Sequence, residues 1–274
     1  MPELPEVESV RRQLAPVLAG RRIERVEALA QRRFDALERV AGHTVQGVDR
    51  RGKYLLATLD GGLELVMHLG MTGSFRVRGA DGWHPDAYVR ASFHLAARRA
   101  GDVGDVVDFR DVRRFGRLSV VAAGEYSGIA TLAGLGPEPL SDDFDPDAFA
   151  AALARTRMPV KPYLLTQRPV AGVGNIYADE ALWRARINPH TRAVGRPRAH
   201  RLWRAIREVL AESIAREGTT FRDYQMVNGQ SGRNADFLVA YGQGGRPCPR
   251  CAVPLRKVVL GGRGTTYCTV CQRR

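Results

Sequence analysis

Residues 248–271 read CPRCAVPLRKVVLGGRGTTYCTVC and hold all four cysteines of the chain. Cys248 and Cys251 form one C-x2-C pair and Cys268 and Cys271 a second, with sixteen residues between the pairs. Two tight turns at this separation present four thiolates tetrahedrally to one ion. They predict a single structural Zn2+ with no open coordination position. Gly261, Gly262 and Gly264 between the pairs predict a hairpin joining two knuckles. The competing reading is two disulfides. The N-terminus opens with Pro2, Glu3, Pro5, Glu6 and Glu8 instead of a basic then apolar secretory run. That predicts a reducing compartment and favours zinc.

Working outward, the 274 residues carry 42 Lys+Arg against 29 Asp+Glu, a formal charge of +13. At 44% hydrophobic and 26% charged the balance is globular. The longest charge-free stretch, Tyr126 to Pro137, is 12 residues, too short to cross a bilayer. The expectation is a soluble, cytoplasmic protein. A strong positive excess points to a polyanion, with nucleic acid ahead of a membrane surface. The bland reading is an arginine-rich proteome, and the distribution argues against it. Ile187 to Arg207 contains six arginines and no acid, and no acid occurs from Phe237 to the C-terminus. Some of this charge is expected to be solvated surface. Lys53, Lys161 and Lys257 are the only lysines. Arginine supplies the filler charge, so each lysine invites a specific explanation, because lysine can give up a proton and arginine cannot.

Leu4, Val7, Val10, Leu14 and Leu18 recur at helical spacing, predicting a helix over Glu3–Leu18 with Gly20 after it. Short strand-like segments follow: 22–29, 43–49, 54–59, 63–68, 74–77, 89–95, 103–109 and 118–122. Most are separated by glycine-bearing turns, which predicts an antiparallel β-sandwich or barrel. A Gly/Pro/Asp-rich linker spans 134–147, and helices are expected over 146–155, 160–167, 175–184 and 197–217. The expected fold is therefore α+β in three parts. Residues 1–133 form an N-terminal helix with a sandwich, 148–236 a helical domain, and 237–274 a zinc finger.

The opening Met1-Pro2-Glu3-Leu4-Pro5-Glu6 carries chemistry as well. Loss of the initiator would leave Pro2 as a free secondary amine. An α-amino group titrates at about 7.7–8.0, so much of it is an unprotonated nucleophile near neutrality. The positive end of the following helix would favour the neutral amine further. Equally, Pro2 and Pro5 could simply start a helix whose dipole the acids complement.

PELPEVE at 2–8, together with the paired C-x2-C motifs, resembles the formamidopyrimidine-DNA glycosylase family. Further matching motifs follow in family order: RGKYLL at 51–56, HLGMTGS at 68–74, RRFG at 113–116, LGPEPL at 135–140, VGNIYA at 173–178 and VAYG at 239–242. The resemblance spans essentially the whole chain. It implies a helix–two-turn–helix character for the helical domain and a bacterial, nucleoid-associated base-excision repair enzyme. Such an enzyme, expected as a monomer, releases 8-oxoguanine and formamidopyrimidines from double-stranded DNA and then cleaves the abasic site. In that scheme Pro2 attacks C1′ of the flipped nucleotide, Glu3 is the adjacent acid/base, Lys53 serves β-elimination and Arg263 δ-elimination. Arg263 is chemically more plausible as a phosphate clamp, since guanidinium rarely loses a proton.

The same resemblance assigns Met71, Arg113 and Phe115 to the space left by the flipped base, which apolar or planar groups must fill. Arg114, Arg157, Lys161, Asn175 and Tyr241 map to DNA-backbone contacts, and Glu6 and His68 count among the DNA-binding residues, Glu6 in a supporting role. Tyr88 stands where many family members have histidine. Residues 93–104 align poorly, and 217–237 resembles a loop that closes over an oxidised purine. Two alternatives stay open. One is the endonuclease VIII relative that prefers oxidised pyrimidines; its N-terminus is Pro-Glu-Gly-Pro-Glu-like, whereas this chain has Leu4. The other is a zinc-ribbon protein that binds DNA without chemistry.

Overall fold

The computed structural model describes residues 1–79, 86–99, 104–220 and 226–273. The strand start expected at Val103 lies outside these residues, as do 100–103 of the poorly aligned stretch and 221–225 of the expected loop. The chain divides into two compact units, one of residues 1–133 with 217–233, the other of 134–216 with 234–274.

In the first unit helix α1 (Leu4–Leu18) begins where the sequence predicts, with Glu3 as N-cap and Pro5 in the first turn. Its apolar face, Val7, Val10, Leu14 and Leu18, enters one core shared with two sheets. The first sheet has the order β1 (Ile23–Ala28), β7 (Val89–Leu95), β8 (Asp105–Asp111) and β6 (Gly73–Gly79). The second has the order β2 (Phe34–Asp35), β9 (Arg117–Ala122), β5 (Leu63–His68), β4 (Tyr54–Leu59) and β3 (Val45–Arg51). Phe75, Phe93 and Phe109 from one sheet and Leu55, Leu65, Met67 and Leu118 from the other meet inside. This is the expected sandwich, and its central strands β4, β5, β7 and β8 are buried along nearly their whole length. One pairing departs from the antiparallel expectation. The two-residue β2, too short to carry a periodic signal, lies parallel to β9.

Residues 217–233, expected with the helical domain, belong to the first unit. Burial gives the physical reason: Met226 is part of the sandwich core, and Gln13 of α1 accepts the Asn228 N–H at 3.2 Å.

The second unit carries α2's successors; α2 itself (Ala130–Ala133) closes the first. Helix α3 (Pro146–Arg155) is capped by Asp145, which accepts the Ala148 N–H at 2.7 Å. Then come α4 (Val160–Leu165), α5 (Asn175–Arg184) and α6 (Arg196–Ala215). Leu202, Ile206, Val209, Leu210 and Ile214 form the buried stripe of α6. Strands β10 (Arg256–Leu260) and β11 (Arg263–Tyr267) make the hairpin that the glycines predict. Gly261 and Gly262 at its tip have φ of 58° and 73°, the left-handed region that glycine enters without penalty.

Candidate active site and metal centre

The start of α1 is built around two buried carboxylates. Pro2 and Glu3 are buried, and Glu3 donates its backbone N–H to Glu6 Oε2 at 2.7 Å. The other oxygen, Glu6 Oε1, accepts the Thr219 N–H at 2.7 Å. Beside it Gly218 has φ +80°, and a Cβ there would fall 2.8 Å from Glu6 Oε1. Glu6 is thus 1% exposed, with each carboxylate oxygen holding a backbone amide. A buried anion holding two amides fixes the geometry of Glu3 and residues 218–219.

Lys53 is buried in the turn between β3 and β4, behind Gly52 with φ +56°. Helix α1 is tied to the strand leading into that turn. Glu8 accepts from Arg11 and Arg12 on its own helix at 2.8 and 2.9 Å and from Arg50 of β3 at 3.2 Å. Burial alone would raise the Glu8 pKa, but these guanidinium hydrogen bonds and charges hold it down to about 2. Across β4 and β5, Tyr54 pairs with His68, their rings 4.6 Å apart. His68 Nδ1 accepts the Gly70 N–H at 3.0 Å. Burial, with the charges of Lys53, Arg117 and Arg33, lowers its pKa to about 4. The ring is therefore neutral at pH 7, and because Nδ1 is an acceptor its proton sits on Nε2, ready to donate.

Two loops present the side chains expected to fill a void. Met71 is half-buried in the β5–β6 turn, and Arg113, Arg114 and Phe115 lie between β8 and β9. Phe115 is 40% exposed, and the Arg113 guanidinium lies 4.8 Å from its ring centroid. Arg114 takes the left-handed conformation, φ 57°. Backbone meets backbone closely here: a Cβ on Gly70 would stand 2.5 Å from the Phe115 carbonyl carbon.

One residue that the sequence reading passed over joins the loops. Asp111, 1% exposed, accepts from Thr72 Oγ1 at 2.5 Å, from Gly116 N–H at 2.7 Å and from Arg113 N–H at 3.3 Å. Thr72 Oγ1 itself accepts the Arg113 N–H at 3.0 Å. The signal available in the sequence was its place between a buried strand and Arg-Arg-Phe-Gly, which does not reveal a partner 39 residues away. On the same sheet Tyr88 is exposed, with the Arg110 guanidinium 4.8 Å from its ring.

In the second unit Asn175 opens α5, preceded by Gly174 as N-cap and by Gly172 with φ +78°. Its Oδ1 is buried with no hydrogen-bond partner among the described residues, and the positive end of a helix suits an anion. Arg157 and Arg263 are exposed, the latter at the start of β11 beside the hairpin tip. Tyr241 donates its N–H to Glu180 Oε1 at 2.8 Å. The same buried carboxylate gathers the amides of Val239 and Ala240.

Lys161, expected at a phosphate contact, lies in the interior. It is 0% exposed and pairs with Asp179 at 2.7 Å. Its ammonium also donates to Gly264 O and Thr265 Oγ1, both at 2.9 Å. Asp179 in turn accepts the Thr266 N–H at 3.0 Å. The lysine thus ties β11 to α5 through Gly264, Thr265 and Asp179.

At the base of that hairpin the sulfurs of Cys248, Cys251, Cys268 and Cys271 lie within 4.8 Å of one another. The cysteines are free of disulfides. Four sulfurs about 2.3 Å from one ion at tetrahedral angles stand about 3.8 Å apart, so the cluster fits one zinc. Cys248 and Cys268 are buried against Leu255, with Trp183 packed alongside, and the four thiolates leave no position for substrate.

Three family descriptions cover the chain. Residues 1–118 match the formamidopyrimidine-DNA glycosylase N-terminal domain, 135–225 the H2TH domain of the same glycosylase, and 245–274 the zinc finger found in FPG and IleRS. A formamidopyrimidine-DNA glycosylase of Deinococcus radiodurans is 46% identical over 285 residues, covering 99% of this chain and 97% of that protein. The crystal structure of the Thermus thermophilus MutM (Fpg) protein superposes with a TM-score of 0.89 at 44% identity, covering 99% and 98%. A variant Fpg of Lactococcus lactis in complex with DNA containing Fapy-dG reaches a TM-score of 0.89 at 34% identity, with both chains fully covered.

Proposed function

The chain belongs to the formamidopyrimidine-DNA glycosylase family. From that premise we propose that it removes oxidised purines from duplex DNA and then cuts the abasic strand, with Pro2 as nucleophile. The damaged nucleotide must first leave the stack. With the initiator removed, the Pro2 nitrogen attacks C1′ and the glycosidic electron pair leaves with the base. The resulting iminium acidifies the C2′ hydrogen, so its removal expels the 3′ phosphate; a second elimination expels the 5′ phosphate.

Glu3 transfers protons beside the nucleophile, Lys53 takes part in the first elimination, and Arg263 holds a departing phosphate. Met71, Arg113 and Phe115 occupy the vacated space. His68 through its Nε2–H, Tyr88, Arg114, Arg157, Asn175 and Tyr241 contact the backbone. The finger's four thiolates hold a zinc ion that supplies structure and no chemistry. Residues 1–133 carry Pro2, Glu3 and Lys53, 134–147 link them to the helical part at 148–216, 217–233 return to the first unit, and 237–274 form the finger. The enzyme works as a monomer in the cytoplasm, associated with the nucleoid. Among the described residues no helix is long and apolar enough to cross a membrane.

The observation that carries this reading is the buried Pro2-Glu3 pair, set at the positive end of α1 by Glu6. Borohydride reduction in the presence of 8-oxoguanine duplex tests it directly: the trapped adduct maps to Pro2. An adduct elsewhere, or active protein that retains Met1, refutes it. Faster release of thymine glycol opposite adenine than of 8-oxoguanine opposite cytosine would favour the endonuclease VIII reading. Binding with no adduct would favour the zinc-ribbon one.

A further inference from the structure

The two acid-free arginine stretches of the sequence meet in the second unit. A cavity of about 540 Å³ is lined by Arg186, Arg198, Arg201, Arg250 and Arg273, with Cys271 in its wall. Other arginines of this unit are matched to acids, Arg184 to Glu212 at 2.5 Å and Arg196 to Asp147 at 2.7 Å. These five have no carboxylate partner among the described residues.

Two of them are held in place by uncharged groups. Arg250 donates to the Trp183 carbonyl at 2.6 Å and the Arg184 carbonyl at 3.2 Å, its guanidinium 3.7 Å from the Trp183 ring centroid. Arg198 donates to the Arg273 carbonyl at 2.8 Å. A guanidinium has five N–H donors, so these contacts leave donors over for a ligand. Nor does the metal centre balance the charge. Four thiolates and one Zn2+ sum to −2, which against five guanidinium groups leaves a local excess of +3.

We propose that this cavity is a second anion site, built for a ligand carrying consecutive phosphates. Guanidinium forks match phosphate oxygens bidentately, and a ring of five suits more than one phosphate. The site is separate from the DNA contacts assigned above. Asn175 opens α5 whereas Arg186 follows its last turn, a helix of 10 residues or about 15 Å away. Arg263 likewise opens β11, whereas Cys271 of the cavity wall lies beyond the other end of that strand of 5 residues, about 16 Å long. The consecutive phosphates come either from a nucleic-acid strand beyond the lesion or from free inorganic polyphosphate.

The test uses the zinc-loaded full chain saturated with a short duplex carrying a stable abasic-site analogue. Inorganic tripolyphosphate and single-stranded oligothymidylate are each titrated in by calorimetry. The expected result is saturable binding of one or both at one ligand per chain. The double variant Arg186→Ala/Arg201→Ala weakens it about tenfold, with lesion excision from the short duplex unchanged. Both residues are exposed and their side chains hold no hydrogen bond or ion pair among the described residues, so the variant should fold; Arg198→Ala provides a second variant. Binding of tripolyphosphate alone identifies a free polyphosphate site, and tighter binding of oligothymidylate identifies a strand. The proposal is overturned if neither probe binds saturably, or if the variants bind as the parent does. It is also overturned if Arg256→Ala, an exposed finger arginine outside the cavity, weakens binding equally.

Discussion

Replacing Asp111 with alanine should uncouple base release from strand cleavage. The carboxylate is the shared acceptor for Thr72, Gly116 and Arg113, and so holds the Met71 turn and the Arg113–Phe115 loop as one unit. Alanine would leave the Thr72 hydroxyl and the Gly116 amide buried without acceptors, each at a cost of about 1–3 kcal/mol. The sum, about 2–6 kcal/mol, loosens the loop pair and at its midpoint stays below the stability of a typical domain, about 5–15 kcal/mol. Since about 1.4 kcal/mol is tenfold, the ordered fraction of the loops falls by one or more decades, and excision with it. An abasic site has no base to unstack, so its cleavage depends far less on these loops.

The assay is single-turnover release of 8-oxoguanine beside strand cleavage at a preformed abasic site, with thermal melting as control. Excision should fall about 30-fold or more while abasic cleavage stays within about threefold. Asp111→Asn keeps an acceptor for Gly116 and should fall in between. Unchanged excision, or equal losses in both reactions, would refute the reasoning.

Lys161→Met strands Asp179, whose carboxyl burial pushes up to about 6 even against the lysine's attraction. Unfolding measurements should show a loss of about 3–5 kcal/mol, largely recovered by adding Asp179→Leu; no loss would mean the pair is dispensable. His68 prefers its neutral form in the folded chain, its pKa lowered from 6.5 to about 4. Its contribution is therefore complete above pH 6.5 and disappears as the pH falls toward 4, at most about 3 kcal/mol. Melting temperatures of the parent and of His68→Asn should converge across that window, and parallel curves would contradict the shift. Stripping zinc with a chelator should disorder the knuckles that anchor the β10–β11 hairpin. Affinity for abasic-site duplex then drops, and unaltered affinity would remove the finger from DNA binding.

Local chemistry was legible in the sequence. The period of Leu4, Val7, Val10, Leu14 and Leu18 determines α1 because a helix brings them to one face. Strands β4, β5 and β7 fall where their apolar patterns end at turns. The four cysteines announce a metal centre by spacing alone, because the ligand turns are local. What a side chain meets across the chain was decided only in three dimensions. Lys161 stands out as one of three lysines, but its partner Gly264, 103 residues on, appears only in the folded interior. Glu6 reads as a helix-start acid until the Thr219 amide, 213 residues on, takes its second oxygen. Asp111 gains its role from a threonine on another turn, and the two arginine stretches become one cavity only when α5, α6 and the finger pack. Periodicity and spacing depend on neighbours along the backbone. Burial, and with it the demand that each polar atom find a partner, depends on which distant segments exclude water together.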